Sequence, residues 1–214
     1  MAMNLSFNVG DDPDRVRANR SAFFGSMGVQ ESELAVPGQV HGKHIERVEH
    51  GGRYPGTDGL ITRTPRVFLC VTFADCVPIL LFDPVSRSIA GIHAGWRGTV
   101  LGIVPEGIRR LAGECGAIPE RLRVYLGPAA GACCYEVGED VARRFEARYV
   151  HRDVLTTVDL HGALKGQLLV AGCLEQNIEI SPACTIHDLS FHSFRRDGRQ
   201  SGRMMAFIGL PEQK

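Results

Sequence analysis

The chain has 214 residues, 44% hydrophobic and 22% charged, which is the mix of a folded globular protein. The length points to one domain, residues 1–214, large enough to bury a core without disulfides. Lys+Arg and Asp+Glu both count 24, so zero net charge excludes a global pull toward nucleic acid or an anionic membrane. No apolar run approaches the roughly 18 residues of a membrane span. The start "MAMNLSFNVGDDPDRV" lacks the basic-then-apolar pattern of a signal peptide. The expected location is therefore cytoplasmic.

Along the chain, residues 11–27 read as a helix, because Asp11 and Asp12 precede a proline at the first helical position, Pro13. "GGRYPGTDG" (51–59) reads as a loop. "VFLCVTFADCVPILLFDP" gives a strand, a break at Ala74–Cys76 and a second strand; the turn "DPVSRS" leads into a third, "SIAGIHAG". Residues 100–114 carry Leu101, Val104, Ile108 and Leu111 at helical spacing. "RLRVYLGP" is a strand. The Gly-rich "GPAAGACCYEVG" that follows could form a backbone nest able to cradle an anion before a helix, "GEDVARRFEARY". "VDLHGALKGQLLVAGCL" is an apolar helix with an Asp start signal, and "ACTIHD" and "RMMAFIGL" are late strands. Hairpin-like strand pairs mixed with helices predict an α+β fold, a single domain with mixed β-sheets flanked by helices.

Seven cysteines without CxxC spacing argue against a disulfide framework and against a zinc ribbon; for most of them burial as small hydrophobes is expected. Of eight histidines, His41 in "GQVHGKH" and His93 in "GIHAGWRG" stand at loop-like breaks, as does Cys76 in "FADCVP". The "DPVSRS" connection makes the strands of Cys76 and His93 antiparallel neighbours, which brings both residues to one sheet edge; nothing local places His41 there. Two imidazoles and a thiolate suit a zinc site with an open fourth position, a Cys nucleophile with a His base, a His₂Cys copper site, or a coincidence of buried residues. "HAGWRGT" presents Trp96 and Arg97 between Gly95 and Gly98, either as core Trp and surface Arg or as a binding pair. "SFRRDGRQSGR" is a basic turn, either a solvated hairpin or a phosphate clamp.

Taken together, "QVHG", "TDGLIT", "ADCVPILLFDP", "HAGWRGT", "GPAAGACCYEVG" and "CTIHDLSFHSFRRDGRQSGRMMAFIGL" resemble the laccase-domain, or polyphenol oxidase-like, family. Its members are described as zinc-dependent purine nucleoside phosphorylases with adenosine deaminase activity, and some bacterial members as peptidoglycan editing factors. The resemblance runs from about residue 4 to residue 210. It implies a Zn²⁺ site at His41, Cys76 and His93, with Asp75 orienting a ligand or a bound water. It also implies phosphorolysis of adenosine, inosine, guanosine and methylthioadenosine. Arg97 and Arg196 are the candidates for holding phosphate. Small-molecule purine nucleoside and phosphate are the expected partners. Copper is the less favoured ion, since multicopper oxidation needs several His-x-His pairs and this chain has none. A hydrolase with Cys76 as nucleophile and His93 as base, or a peptidoglycan editing protein, is the alternative. One departure stands out. Members usually carry a longer N-terminal stretch, with an Arg and a Gly pair, before a segment like "NLSFNVGDD".

Overall fold

The computed structural model describes residues 3–212. Helix α1 (Pro13–Gly25) opens where the cap signal predicts, with the Asp12 carboxylate accepting from the Asp14 amide. It is followed by β1 (Leu34–Gly38), β2 (Ile45–Arg47), β3 (Gly52–Pro55), β4 (Gly59–Thr62), β5 (Phe68–Phe73), β6 (Val77–Asp83) and β7 (Ser88–Ala94). Next come α2 (Trp96–Val100), α3 (Ile103–Cys115), β8 (Arg123–Leu126), α4 (Glu139–Ala142), and the hairpin of β9 (Val150–Arg152) and β10 (Thr156–Val158). Helix α5 (Leu160–Val170), β11 (Ile178–Ile180), α6 (Phe194–Asp197) and β12 (Met204–Gly209) complete the chain.

Two mixed sheets form the body, in the orders β12-β5-β1-β3 and β11-β8-β6-β7-β4-β2. Strand alternation assigns their faces. Ala90, Ile92 and Ala94 of β7 pack with Ile103, Ile108 and Leu111 of α3 and with Leu164 and Leu168 of α5. Ile89 of the same strand turns the other way and joins Leu69 of β5, Ala35 of β1 and Leu60 of β4 between the sheets. On the far face of the first sheet, Phe24 of α1 meets Leu34, Cys70 and Met205. The layers are therefore helix, sheet, sheet, helix, which is the mixed-sheet α+β architecture that the sequence predicts. No helix among the described residues is long and apolar enough to cross a membrane.

Several elements depart from expectation. The 51–59 loop contains β3, which pairs in parallel with β1. The helix expected over 138–149 stops after Ala142, its one buried residue, and resumes only as a 3₁₀ turn at Ala147–Tyr149. A segment with so narrow an apolar face has little tertiary packing to hold further turns. "ACTIHD" forms one bridge, Ala129 to Cys184, and then turns. "SFRRDGRQ" is a short helix and a 3₁₀ turn, not a hairpin; Ser193 caps it by accepting from the Arg196 amide.

Ile92 is fully buried between β7 and α3. Ile92→Ala is expected to destabilise the protein by about 2–5 kcal/mol in urea unfolding, the range for deleting a core isoleucine. Val154→Ala, at a 97% exposed position, should shift stability by less than about 0.5 kcal/mol.

Candidate metal centre

The β6–β7 hairpin sets Val77 opposite Ala94 and Pro78 opposite His93, so Cys76 and His93 reach the same sheet edge. His41 arrives from the loop after β1. Its backbone is in the left-handed region, with φ 61°, an uncommon conformation for a non-glycine residue. The ligand atoms of His41, Cys76 and His93 lie within 4.8 Å of one another. His41 Nε2 is 3.9 Å from Cys76 Sγ, and the two imidazoles meet edge to face at 4.9 Å.

Asp58 ties these pieces together. Its carboxylate accepts from the amides of Val40 (3.2 Å), His41 (2.9 Å) and Gly42 (2.7 Å), and from His93 Nδ1 (3.0 Å). The His93 amide donates to the Asp58 carbonyl at 2.7 Å. Burial would raise the Asp58 pKa, but the His93 ring and the Gly42 and Val40 amides outweigh it and hold the carboxylate below its usual range. With Nδ1 bound to Asp58, His93 keeps Nε2 for a ligand.

Gly95 leaves the space that these groups need. A Cβ there would lie 2.8 Å from Cys76 Sγ and 3.2 Å from His41 Cδ2. Burial pushes the Cys76 thiol up, but the imidazole of His93 and then that of His41 override it and draw the thiol down to about 6. Burial in turn lowers His93, and the Cys76 thiolate and Asp58 reverse that, lifting it to about 9. A thiolate beside an imidazolium is the metal-free state of the pair; a cation replaces both protons. One thiolate, two imidazoles and a second-layer carboxylate together make a metal-ligand set.

The trio lies on the wall of a cavity of about 450 Å³, lined by the ends of β1 and β5 from one sheet and of β6 and β7 from the other. Trp96 is partly buried against the helix-side core and also lines this cavity. Arg97 stacks on its ring at 4.5 Å and lines the cavity too. Asp75, with φ 85°, lines the cavity, but its carboxylate accepts from Thr185 Oγ1 (2.7 Å) and the Arg195 amide (2.7 Å). Those bonds anchor the C-terminal segment and leave His41 and His93 to other partners.

Arg196 is not among the cavity residues. Its guanidinium donates to the carbonyls of Thr185 (2.9 Å), Ile186 (3.2 Å) and Phe191 (2.8 Å) and to the Asp197 carboxylate. Arg195 and Arg203 line the cavity instead. Arg203 lies over the Phe194 ring and Arg195 over Tyr135. The expected backbone nest at 127–138 is filled from within. The Ala130 amide donates to the Asp75 carbonyl, that of Tyr135 to the Gly131 carbonyl, and that of Gly131 to Cys184 Sγ. Sequence reasoning gave no site role to Asp58 or Tyr135, which it held only inside the quoted motifs "TDGLIT" and "GPAAGACCYEVG", and it held Arg195 and Arg203 only as members of the basic turn "SFRRDGRQSGR".

In metal-free protein, alkylation of Cys76 should reach half its limiting rate near pH 6, because the thiolate fraction tracks a pKa of about 6. Asp58→Asn should move that midpoint upward, since the neutral amide no longer supports the His93 imidazolium. Mass-spectrometric rates of Cys76 labelling across pH 4–9 check both; a midpoint near the ordinary value of about 8.5 would contradict the site as drawn.

The sequence profile of the family described as "Multi-copper polyphenol oxidoreductase laccase" matches residues 1–211. A curated relative from Deinococcus radiodurans, named purine nucleoside phosphorylase, is 38% identical over 95% of this chain and 81% of its own length. A second of that name, from Streptomyces coelicolor, is 38% identical over 97% of this chain and 88% of its own length. Among solved structures, YlmD from Geobacillus stearothermophilus superposes with a TM-score of 0.93 at 33% identity, covering 98% of this chain and 85% of that one. The hypothetical protein YfiH of Bacillus licheniformis gives 0.92 at 31%, covering 97% and 85%. With nearly the whole chain matched in both sequence and fold, the protein belongs to the laccase-like family that this profile describes.

Proposed function

We propose that this chain is a zinc-dependent purine nucleoside phosphorylase that also deaminates adenosine at the same site. The observation that carries this is the convergence of His41, Cys76 and His93 on one wall of a cavity ringed by arginines and aromatic rings. The names of its curated relatives support the phosphorylase part. The substrates are adenosine, inosine, guanosine and methylthioadenosine.

In phosphorolysis a phosphate oxygen bonds to C1′ as the C1′–N9 bond breaks; the electron pair leaves with the purine and the ribose becomes cation-like. His41, Cys76 and His93 would hold Zn²⁺, which when bound would supply Lewis acidity toward the substrate. The chain's own residues do the rest. Arg97 and Arg203 offer guanidinium groups for the phosphate in a partly desolvated cavity. Burial, then the nearby Cys76 thiolate, pushes the Tyr135 hydroxyl up to about 12, so it keeps its proton and donates to a purine nitrogen. Phe73, Trp96, Leu160 and Phe194 wall the cavity and restrict water. Asp58 holds His93 in one orientation and one tautomer.

The alternative is a hydrolase or peptidoglycan editing protein in which Cys76 attacks and His93 takes its proton; the low thiol pKa favours it. Copper phenol oxidation has less support, because no His-x-His pair exists to feed a copper cluster. Metal analysis of protein purified without added copper separates zinc from copper.

Chelation and Cys76→Ala should each cut phosphate-dependent release of base from adenosine and inosine by at least about 100-fold, measured by chromatography. Activity that survives chelation but is lost on alkylation would favour the nucleophile instead.

Arg203→Lys should raise the KM for phosphate about tenfold while changing the KM for nucleoside little, because the bidentate fork is lost and the charge is kept. Arg196→Lys should lower the melting temperature through its lost carbonyl partners and leave the phosphate KM in place. The reverse pattern would return the phosphate role to Arg196.

A further inference from the structure

A second cluster of soft donors lies outside the cavity. The sulfurs of Cys133, Cys134 and Cys184 sit within 4.8 Å of one another, and none of the three residues lines the cavity of the first site. Cys70, Cys115 and Cys173 are buried and behave as small core hydrophobes. These three do not: Cys133 is exposed, and Cys134 and Cys184 are partly exposed. Their juxtaposition is tertiary, since Cys184 lies 50 residues beyond the Cys133–Cys134 pair and is brought in by the Ala129–Cys184 bridge.

We propose that Cys133, Cys134 and Cys184 form a second metal site, one that takes a thiophilic closed-shell cation, Zn²⁺ or Cu⁺, through three sulfurs. The distances fit such an ion. A metal–sulfur distance of about 2.3 Å puts tetrahedral sulfurs about 3.8 Å apart and trigonal ones about 4 Å apart. Cys133 and Cys134 stand 3.3 Å apart, so a small side-chain rotation suffices. The backbone is arranged for a thiolate. The Gly131 amide donates to Cys184 Sγ at 3.3 Å, and the amides of Ile186 and His187 are directed at the same sulfur. Gly131 also lets the three approach: a Cβ there would stand 3.4 Å from both Cys133 Sγ and Cys184 Sγ. Binding releases the thiol protons to solvent and involves no oxidation. Exposure of Cys133 leaves the remaining coordination position open to water or a small donor.

The two sites are separable by stoichiometry. The reduced, full-length protein is titrated anaerobically with Zn²⁺ against a chromophoric chelator, and in a parallel arm with Cu⁺. The intact chain should take two equivalents of Zn²⁺; Cys184→Ser and Cys76→Ala should each take one. X-ray absorption of Cys76→Ala with one equivalent should show three sulfurs at about 2.3 Å. The Cu⁺ arm identifies the preferred ion by competition. If the first site holds no ion, the intact chain and Cys76→Ala both take one equivalent and Cys184→Ser takes none, so that failure leaves the thiol site standing. Cys133→Ser, at an exposed position, is a second variant should Cys184→Ser not fold, and circular dichroism monitors both. Equal stoichiometry in Cys184→Ser and the intact chain, fewer than three sulfurs on the ion, or a trio that closes a disulfide and takes no metal would each overturn the site.

Discussion

Four hydrogen bonds to one buried carboxylate organise the His41–Cys76–His93 end of the molecule. Asp58 has no solvent exposure, and such a group is costly to bury unless it is fully partnered. Its partners come from two places distant in sequence: three successive amides of the loop at 40–42 and the imidazole of His93 on β7. Satisfying the carboxylate therefore requires the loop to fold over the strand end. That requirement holds His41 in its left-handed conformation, which by itself costs of order 1–3 kcal/mol. The same bonds set the tautomer of His93. One interaction thus fixes both histidines, and the thiol between them takes its low pKa from the geometry that follows.

The break between β5 and β6 does the complementary job for the rest of the cavity. Asp75 and Cys76 sit where the chain leaves one sheet and enters the other, so the turn lies at the mouth between them. Asp75 holds Thr185 and the Arg195 amide, and its carbonyl takes the Ala130 amide. Arg196 secures the same segment from the other side by filling its guanidinium with carbonyls. Arg203 and Arg195 also give one guanidinium nitrogen to carbonyls, those of Ser201 and Gly202 and that of Glu136, but unlike Arg196 they line the cavity. The phosphorylase reading draws on this arrangement: a shell of bonded groups around a cavity that Arg97, Arg195 and Arg203 line.

Gly131 joins Tyr135, on the cavity wall, to the cysteine trio: its carbonyl accepts from the Tyr135 amide and its amide donates to Cys184 Sγ. The "GPAAGACC" run has the residue types of an anion nest, and its amides are directed at acceptors of the protein itself, including the Cys184 sulfur. A backbone shaped for an anion is here matched by a thiol that can become one.

The amino-acid sequence by itself determined what depends on short range. The Asp12–Pro13 start of α1, the Asp159 cap of α5, which accepts from the Gly162 amide at 2.8 Å, and the Cys76–His93 hairpin closed by "DPVSRS" were all legible. Caps and turns act over a few residues, and strand alternation repeats every two. The motif resemblance added His41 to the trio, which no local pattern could place. Tertiary structure alone decided the placement of Asp58, Arg195, Arg196 and Arg203, because neighbouring arginines look alike in sequence until the fold shows which of them line the cavity and which is spent on carbonyls outside it. It also ended the helix at Ala142, where too little core faces the segment to hold further turns. A side chain's type sets what it can bind, but what it does bind depends on which distant backbone and side-chain groups the packed layers bring within about 3 Å of it.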